Sequence, residues 1–207
     1  MSNNTLRRAF FGKGRLRMGI DGKGITTLCT FHGCPLRCKY CLNKRGLAPE
    51  TKCDLLTPEE LYDMVKIDDL YFQASGGGVT FGGGEPLLHT DFIAAFREIC
   101  PDTWRLTAET SLYLSEEAVR HAATVVDDFI VDIKDTDPEI YLAYTGKKND
   151  RVLANLRLLL SLVGPERIKV RVPLIPDFNT DANRENSKRL LSEMSIVHFD
   201  FFNYVIR

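Results

Sequence analysis

ITTLCTFHGCPLRCKYCLNK, residues 25–44, runs from an apolar strand into three cysteines. ITTLCTF (25–31) has the β-branched composition of a buried strand. Cys34, Cys38 and Cys41 follow within eight residues as C-x3-C-x2-C. A structural zinc site or an ordinary iron–sulfur cluster takes four protein ligands, so a count of three needs a reason. Three thiolates on a short loop can hold three irons of a cubane and leave the fourth open to a group that is not protein. Tyr40 then places an aromatic ring beside that iron. Two other readings supply a fourth ligand: a zinc knuckle using His32, or an electron-transfer cluster using Cys29 or Cys53. The spacing does not match the paired C-x2-C of common zinc sites.

Outward from this stretch, strand-like and helix-like runs alternate. TPEELYDMVKI (57–67) opens with a Thr N-cap, Pro at N1 and an early Glu pair. GVTF (78–81) is a very short strand between glycine triplets. LHTDFIAAFREIC (88–100) has helical spacing, WRLTAET (104–110) reads as a strand, and SEEAVRHAAT (115–124) as a helix capped by Ser115. DFIVDIK (128–134) is a strand. DPEIYLAYTG (137–146) and RVLANLRLLLSLVG (151–164) are helices ended by glycine. IKVRVPLIP (168–176), DANRENSKRLLSEM (181–194) and HFDFFNYVI (198–206) read as strand, helix and strand. Such alternation predicts right-handed crossovers and a parallel sheet. There are about six units, and a closed eightfold barrel usually takes ~250 residues. The expected fold is therefore α/β, a partial (β/α)6 barrel of parallel strands. Residues 1–207 read as one domain, with 1–18 as an N-terminal lead-in. The site is expected at the carboxyl ends of the strands.

Composition narrows the setting. Charge is nearly balanced, 27 Lys+Arg against 28 Asp+Glu, so nothing global argues for nucleic acid. Residues 1–52 carry eleven Lys/Arg and two Asp/Glu, a net +9, which can attract an acidic partner or anion or be a solvated face. No apolar run approaches ~18 residues, so no membrane span is expected. The start lacks a signal-peptide core. A reducing cytoplasm and a monomer are the expectation, and there clustered cysteines usually mean metal or catalysis. The other cysteines, 29, 53 and 100, read as core or surface thiols.

SGGGVTFGGGEP (75–86) is the second constellation. Glycine permits positive φ and close backbone approach to a ligand. The stretch is not a GxGxxG loop and lacks the P-loop lysine. Taken with the cysteines, it resembles the radical S-adenosylmethionine (SAM) enzymes. In that superfamily the open iron of a [4Fe–4S] cluster binds SAM, and a GGE motif after the second strand binds its amino group. Gly83, Gly84 and Glu85 match that motif, with Gly82 where Ser is often found. The longer string resembles the glycyl-radical-enzyme activases, the pyruvate formate-lyase activating enzyme group. Further matches are DGKGITTLCTF (21–31), AETS (108–111), VDIK (131–134) and VRVPLIPDFN (170–179).

The resemblance implies the following roles. Cys34, Cys38 and Cys41 hold the cluster, and Tyr40 is a cofactor contact. Lys134 helps hold the SAM carboxylate or ribose, Asp132 orients it, and Arg171 meets SAM from the fifth strand. Glu109 and Asp132 could share a monovalent cation. The chain resembles the short, single-cluster type, without a ferredoxin-like insert after Cys41. It ends at NYVIR, where relatives place a SAM-contacting His after the sixth strand; another group substitutes, or the chain is truncated or minimal. The implied activity is hydrogen abstraction from a glycine of a partner glycyl radical enzyme, with flavodoxin or ferredoxin as electron donor. The basic N-terminal segment, through Arg15 and Arg17, is where such a donor would dock. The alternatives are a radical SAM enzyme acting on a small molecule or peptide, and a non-catalytic zinc or electron-transfer module.

Overall fold

A computed structural model describes residues 6–204. Its strands are β1 (Arg8–Met18), β2 (Ile25–Phe31), β3 (Asp54–Leu56), β4 (Gly78–Gly83), β5 (Arg105–Thr110), β6 (Asp128–Asp132), β7 (Ile168–Leu174) and β8 (His198–Asn203). Its α-helices are α1 (Pro58–Val65), α2 (Asp69–Ser75), α3 (Thr90–Ile99), α4 (Glu116–Val125), α5 (Pro138–Thr145), α6 (Asp150–Val163) and α7 (Asp181–Glu193). The strands form one sheet in the order β3-β1-β2-β4-β5-β6-β7-β8. Every pairing from β2 to β8 is parallel. These six parallel strands are the six units expected from the sequence. The far end of the last predicted strand, 205–206, lies outside the described residues.

The N-terminal lead-in, 1–18, contains a strand. Arg8–Met18 is an eleven-residue strand, antiparallel to β2, and it carries the short β3 on its other side. Its pairing with β2 slips between Phe10 and Gly12 and again between Gly14 and Arg17. Such irregularities bend a strand and raise its twist.

Each parallel strand joins the same edge of the sheet, so right-handed crossovers place the connecting helices on one face. The helices begin where the sequence signals them. Thr57 and Glu60 form a reciprocal capping box at α1, with Thr57 Oγ1 accepting from Glu60 N at 3.2 Å and Glu60 Oε2 from Thr57 N at 2.8 Å. Strand alternation then sorts the side chains. Phe31, Val79, Phe81, Leu106, Ala108, Phe129, Val131, Val170 and Val172 enter the core beneath the helices. Fully burying one such large side chain contributes about 1.5–3 kcal/mol. The residues between them face the other way. They are Leu28 on β2, Gly82 on β4, Glu109 on β5, Asp132 on β6, Arg171 on β7 and Asp200 on β8, and all but Gly82 line the cavity of the concave face. Register aligns Asp132 with Arg171 and Arg171 with Asp200.

Candidate active site

A cavity of about 590 Å³ opens on the concave side at the carboxyl ends of the parallel strands. Cys34, Cys38 and Cys41 line it, together with Gly83, Gly84, Glu85, Asp132, Lys134 and Arg171. The three scattered cysteines are elsewhere: Cys29 and Cys100 are buried in the core cluster, and Cys53 is half-buried. Burial pushes the Cys29 thiol up to about 12.

The cysteine loop is docked on two sides. The last carbonyls of a helix have no intrahelical donor. At the end of α5 the loop supplies them, Arg37 N to Thr145 O and Lys39 N to Tyr144 O, both 3.1 Å. On the other side Gly84 N donates to Phe31 O at 2.9 Å and Glu85 N to Gly33 O at 2.8 Å. Asn43 Nδ2 donates to Gly83 O at 3.0 Å. The glycines serve this seam. Gly83 has φ +91°, and a Cβ on Gly84 would sit 2.0 Å from the Gly33 oxygen. The close approach that the glycines permit is first of all to the cysteine loop itself.

Glu85 is buried and its carboxylate is fully used. Oε1 accepts from Thr110 Oγ1 at 2.7 Å and Leu87 N at 3.3 Å; Oε2 accepts from Ser111 N at 2.9 Å and Ser111 Oγ at 2.7 Å. Burial pushes this carboxyl up, against the pull of those donors. Its side chain therefore ties β4 to the loop after β5 and leaves the backbone of Gly83–Glu85 as the surface facing the cavity.

Lys134 is buried, with Nζ donating to Asp132 Oδ2 at 2.9 Å and Tyr204 Oη at 3.2 Å. Burial alone would push it down, but Asp132, Tyr204 and Cys38 outweigh that and hold the ammonium well above its usual range. The other oxygen of Asp132, Oδ1, is buried without a hydrogen-bond partner among the described residues. Arg171 is engaged three times: Nη1 with Glu109 Oε1 at 2.6 Å, Nε with Asp200 Oδ2 at 3.2 Å, and Nη2 with Ile20 O at 2.7 Å. Burial pushes the Glu109 carboxyl up, Arg171 opposes it, and Asp132 adds to the rise. Glu109 and Asp132, read as a shared cation site, thus already carry side-chain counter-ions from the chain. Burial pushes the Cys34 thiol up to about 12 and also raises Cys38, where Lys134 opposes it.

Two further expectations concern residues that stand apart from the cavity's cysteines. Tyr40 is not among the residues lining the cavity. Its ring packs edge-on against Phe178 at 5.7 Å and Tyr144 at 6.2 Å, and its hydroxyl donates to Asp177 at 2.8 Å. Arg15 and Arg17, read as a docking point, are each paired with an acidic residue of the chain. Arg15 grips the fully buried Asp68 at 2.5–3.1 Å, and Arg17 pairs with the nearly buried Asp21. His32, the fourth ligand of the zinc reading, lies with Nε2 3.0 Å from Ala48 O. Among the described residues no three His, Cys, Asp or Glu side chains converge as they would on a single ion. Asn43 was missed from sequence; Thr110 and Ser111 lie in the quoted AETS (108–111), but their bonds to Glu85 were not read there. Tyr204, at the end of the sixth parallel strand where a His was missed, lines the cavity.

The Radical SAM superfamily model matches residues 28–190, most of the chain. The chain belongs to the radical SAM superfamily. Within it, this radical SAM chain falls among the activating enzymes. It is 30% identical to the (2S)-3-sulfopropanediol dehydratase activating enzyme of Klebsiella oxytoca, over 78% of this chain and 69% of that one. It is 39% identical to the pyruvate formate-lyase-activating enzyme of Clostridium pasteurianum, over 62% of this chain and 53% of that one. Among solved structures it superposes on Streptococcus suis SuiB bound to precursor peptide SuiA. The TM-score is 0.65 at 16% identity, over 86% of this radical SAM chain and 39% of SuiB, a likeness of fold. No helix among the described residues is long and apolar enough to cross a membrane.

Proposed function

We propose that the chain activates a glycyl radical enzyme by removing one hydrogen atom from the α-carbon of a glycine in that partner. Cys34, Cys38 and Cys41 would hold a [4Fe–4S] cluster, and the cavity beside them would take SAM. When bound, cluster and SAM would supply the one-electron chemistry for hydrogen-atom abstraction. The electron comes from a donor such as flavodoxin or ferredoxin.

The observation that carries this reading is one cavity lined by three thiols and by Asp132, whose Oδ1 has no partner among the described residues. The donor set fits. A cubane takes one soft thiolate on each of three irons, and three thiols line this cavity. The buried, unpartnered Asp132 Oδ1 asks for a donor that the chain does not provide, and a ligand with an amino or hydroxyl group provides one. Lys134, charged at every working pH, is placed to meet a carboxylate. Thr110 and Ser111 hold Glu85, which fixes the backbone of Gly83 and Gly84 at the cavity wall. Arg171 positions Glu109 and Asp200 and holds the first turn of the sheet against the concave face. Leu28, Leu36 and Leu42 line the same cavity and keep part of its wall apolar. Ligation requires the thiols to lose their protons.

The test is anaerobic reconstitution followed by incubation with SAM, a reductant and a candidate glycyl radical enzyme. The expected result is iron and sulfide in the chain, and a glycyl doublet by electron paramagnetic resonance in the partner. Stoichiometric zinc without iron or sulfide would overturn the reading. So would a Cys38→Ala variant that still cleaves SAM.

A further inference from the structure

Residues 1–52 carry a basic excess that the proposed chemistry does not use, and the structure divides it in two. Lys13 apart, the basic residues before the cysteines each pair with a carboxylate, from Arg7 with Glu60 to Lys23 with Asp128. Those within and after the cysteine loop, Arg37, Lys39, Lys44, Arg45 and Lys52, are exposed and pair with no carboxylate among the described residues. An exposed cation without a counter-ion lends its field to whatever approaches.

The fold adds to the second group. Arg37 N donates to Thr145 O and Lys39 N to Tyr144 O, both at 3.1 Å, so the loop lies on the end of α5. Lys147 and Lys148, exposed and likewise unpaired among the described residues, follow in the turn after that helix. Cations beside a helix C-terminus are favourable, so this charge gathers at little cost to folding. Against these four cations the neighbouring turns set Asp150, at the start of α6, and Asp177, which accepts from Tyr40 Oη at 2.8 Å. The face is therefore net positive. None of Arg37, Lys39, Lys147 and Lys148 lines the cavity, whereas Cys38, between Arg37 and Lys39 in the chain, does. A molecule seated here has the backbone of one cysteine directly beneath it and stays outside the cavity.

We propose that this face, built by Arg37, Lys39, Lys147 and Lys148, docks the acidic one-electron carrier that reduces the cluster. The inference rests on the reading that Cys34, Cys38 and Cys41 hold a cluster. The carrier gives up one electron and the cluster takes it; no bond forms or breaks. The enzyme whose glycine loses hydrogen has to reach the cavity itself. A face outside the cavity suits the partner from which only an electron must pass. Complementary charge speeds such encounters and makes them sensitive to salt. Arg15 and Arg17, the docking point expected from sequence, have their charge answered by Asp68 and Asp21.

The experiment follows reduction of the reconstituted chain by flavodoxin hydroquinone, the acidic carrier used as probe, in stopped flow at low and high ionic strength. Wild type is compared with Lys39→Glu, Lys148→Glu, the double variant, and Lys13→Glu, which makes the same charge change on β1. The expected result is a second-order rate at least about tenfold lower in the double variant at low salt, closing on wild type at high salt, where charges are screened. Lys13→Glu should stay near wild type. Calorimetric binding of oxidised flavodoxin gives a second readout that needs no electron transfer, and the double variant should bind more weakly. Iron and sulfide content and the midpoint potential should match wild type throughout, since all three lysines are exposed. A double variant with the wild-type rate or the wild-type affinity would overturn the inference while leaving the cluster reading intact. So would a loss equalled by Lys13→Glu. A slower rate accompanied by a lower midpoint potential would also overturn it, because driving force would then explain the rate. A wild-type chain that takes up no cluster would remove the reading beneath it and the inference together.

Discussion

Gly84→Ala tests whether the seam between β4 and the cysteine loop sets the site. Gly84 does not lie in the left-handed region, so alanine meets no backbone strain there. The obstacle is contact. A Cβ would lie 2.0 Å from Gly33 O, and real Cβ contacts essentially never fall below 3.0 Å, so the seam must open by 1.0 Å. Both flanking backbone bonds cross it, Gly84 N to Phe31 O at 2.9 Å and Glu85 N to Gly33 O at 2.8 Å. Opened by that much they stretch to about 3.8–3.9 Å, past hydrogen-bonding range. Leaving buried groups unsatisfied costs about 1–3 kcal/mol for each bond. Alanine restricts the unfolded chain and offsets about 0.4–1 kcal/mol. The net loss is about 1–5.6 kcal/mol. The assay is urea unfolding of the metal-free chain by circular dichroism, paired with iron and sulfide content after reconstitution. Gly146→Ala is the control: it has φ +76° but open space around its Cβ, so it should cost about 1 kcal/mol and leave the iron content alone. A Gly84→Ala chain with the wild-type urea midpoint and wild-type iron content would refute the reasoning.

Three further outcomes are expected. Glu85→Gln should cost about 1–3 kcal/mol, since each carboxylate oxygen takes two donors and an amide nitrogen can accept neither. Glu85→Ala should cost more, read by the same urea curves. Asp68 is pushed up by burial, but Arg15 and Thr27 outweigh that and hold it below its usual value. Its stabilising contribution is therefore complete above the unfolded carboxyl value of about 3.9 and is lost as pH falls through the lower folded value. Asp68→Asn should flatten that part of the acid-unfolding curve and lower stability by about 1–3 kcal/mol at neutral pH. Tyr40→Phe keeps the packed ring and loses one half-exposed hydrogen bond to Asp177, so stability should fall by less than about 1 kcal/mol with iron content unchanged. Weakened SAM binding in Tyr40→Phe by equilibrium dialysis would return that hydroxyl to the cofactor.

The parts of the fold that were legible in the sequence are those whose signals are local. Thr57, Ser115 and the glycines after α5 and α6 mark helix ends, and the β-branched runs of β2, β5, β6 and β7 mark the parallel strands. β1 was not legible because RAFFGKGRLRM mixes four basic residues with two glycines and breaks the alternation twice, where its register slips. What makes it a strand is the partner edge of β2, which no periodicity within the segment reveals. The helical run predicted over 57–67 yields to a 3-10 turn at Lys66–Asp68, and α2 follows unannounced. At the site, the cysteines and the GGE turn were visible as motifs. The partners of Glu85 were not, because Thr110 and Ser111 lie 25 and 26 residues away. Arg15 illustrates what composition leaves out: its partner Asp68 lies 53 residues on.

Arg171 reaches across the concave side from β7 to Ile20 O, 151 residues earlier in the chain. Among the described residues the sheet has two free margins and no strand hydrogen bonds to close it. One side chain therefore acts like the string of a bow, holding an arc of backbone at a set curvature. The width of the gap between the first turn and β8 depends on the length of that guanidinium arm. A shorter residue there would let the arc relax, and a partner large enough to need a wider entrance would have to release the same contact.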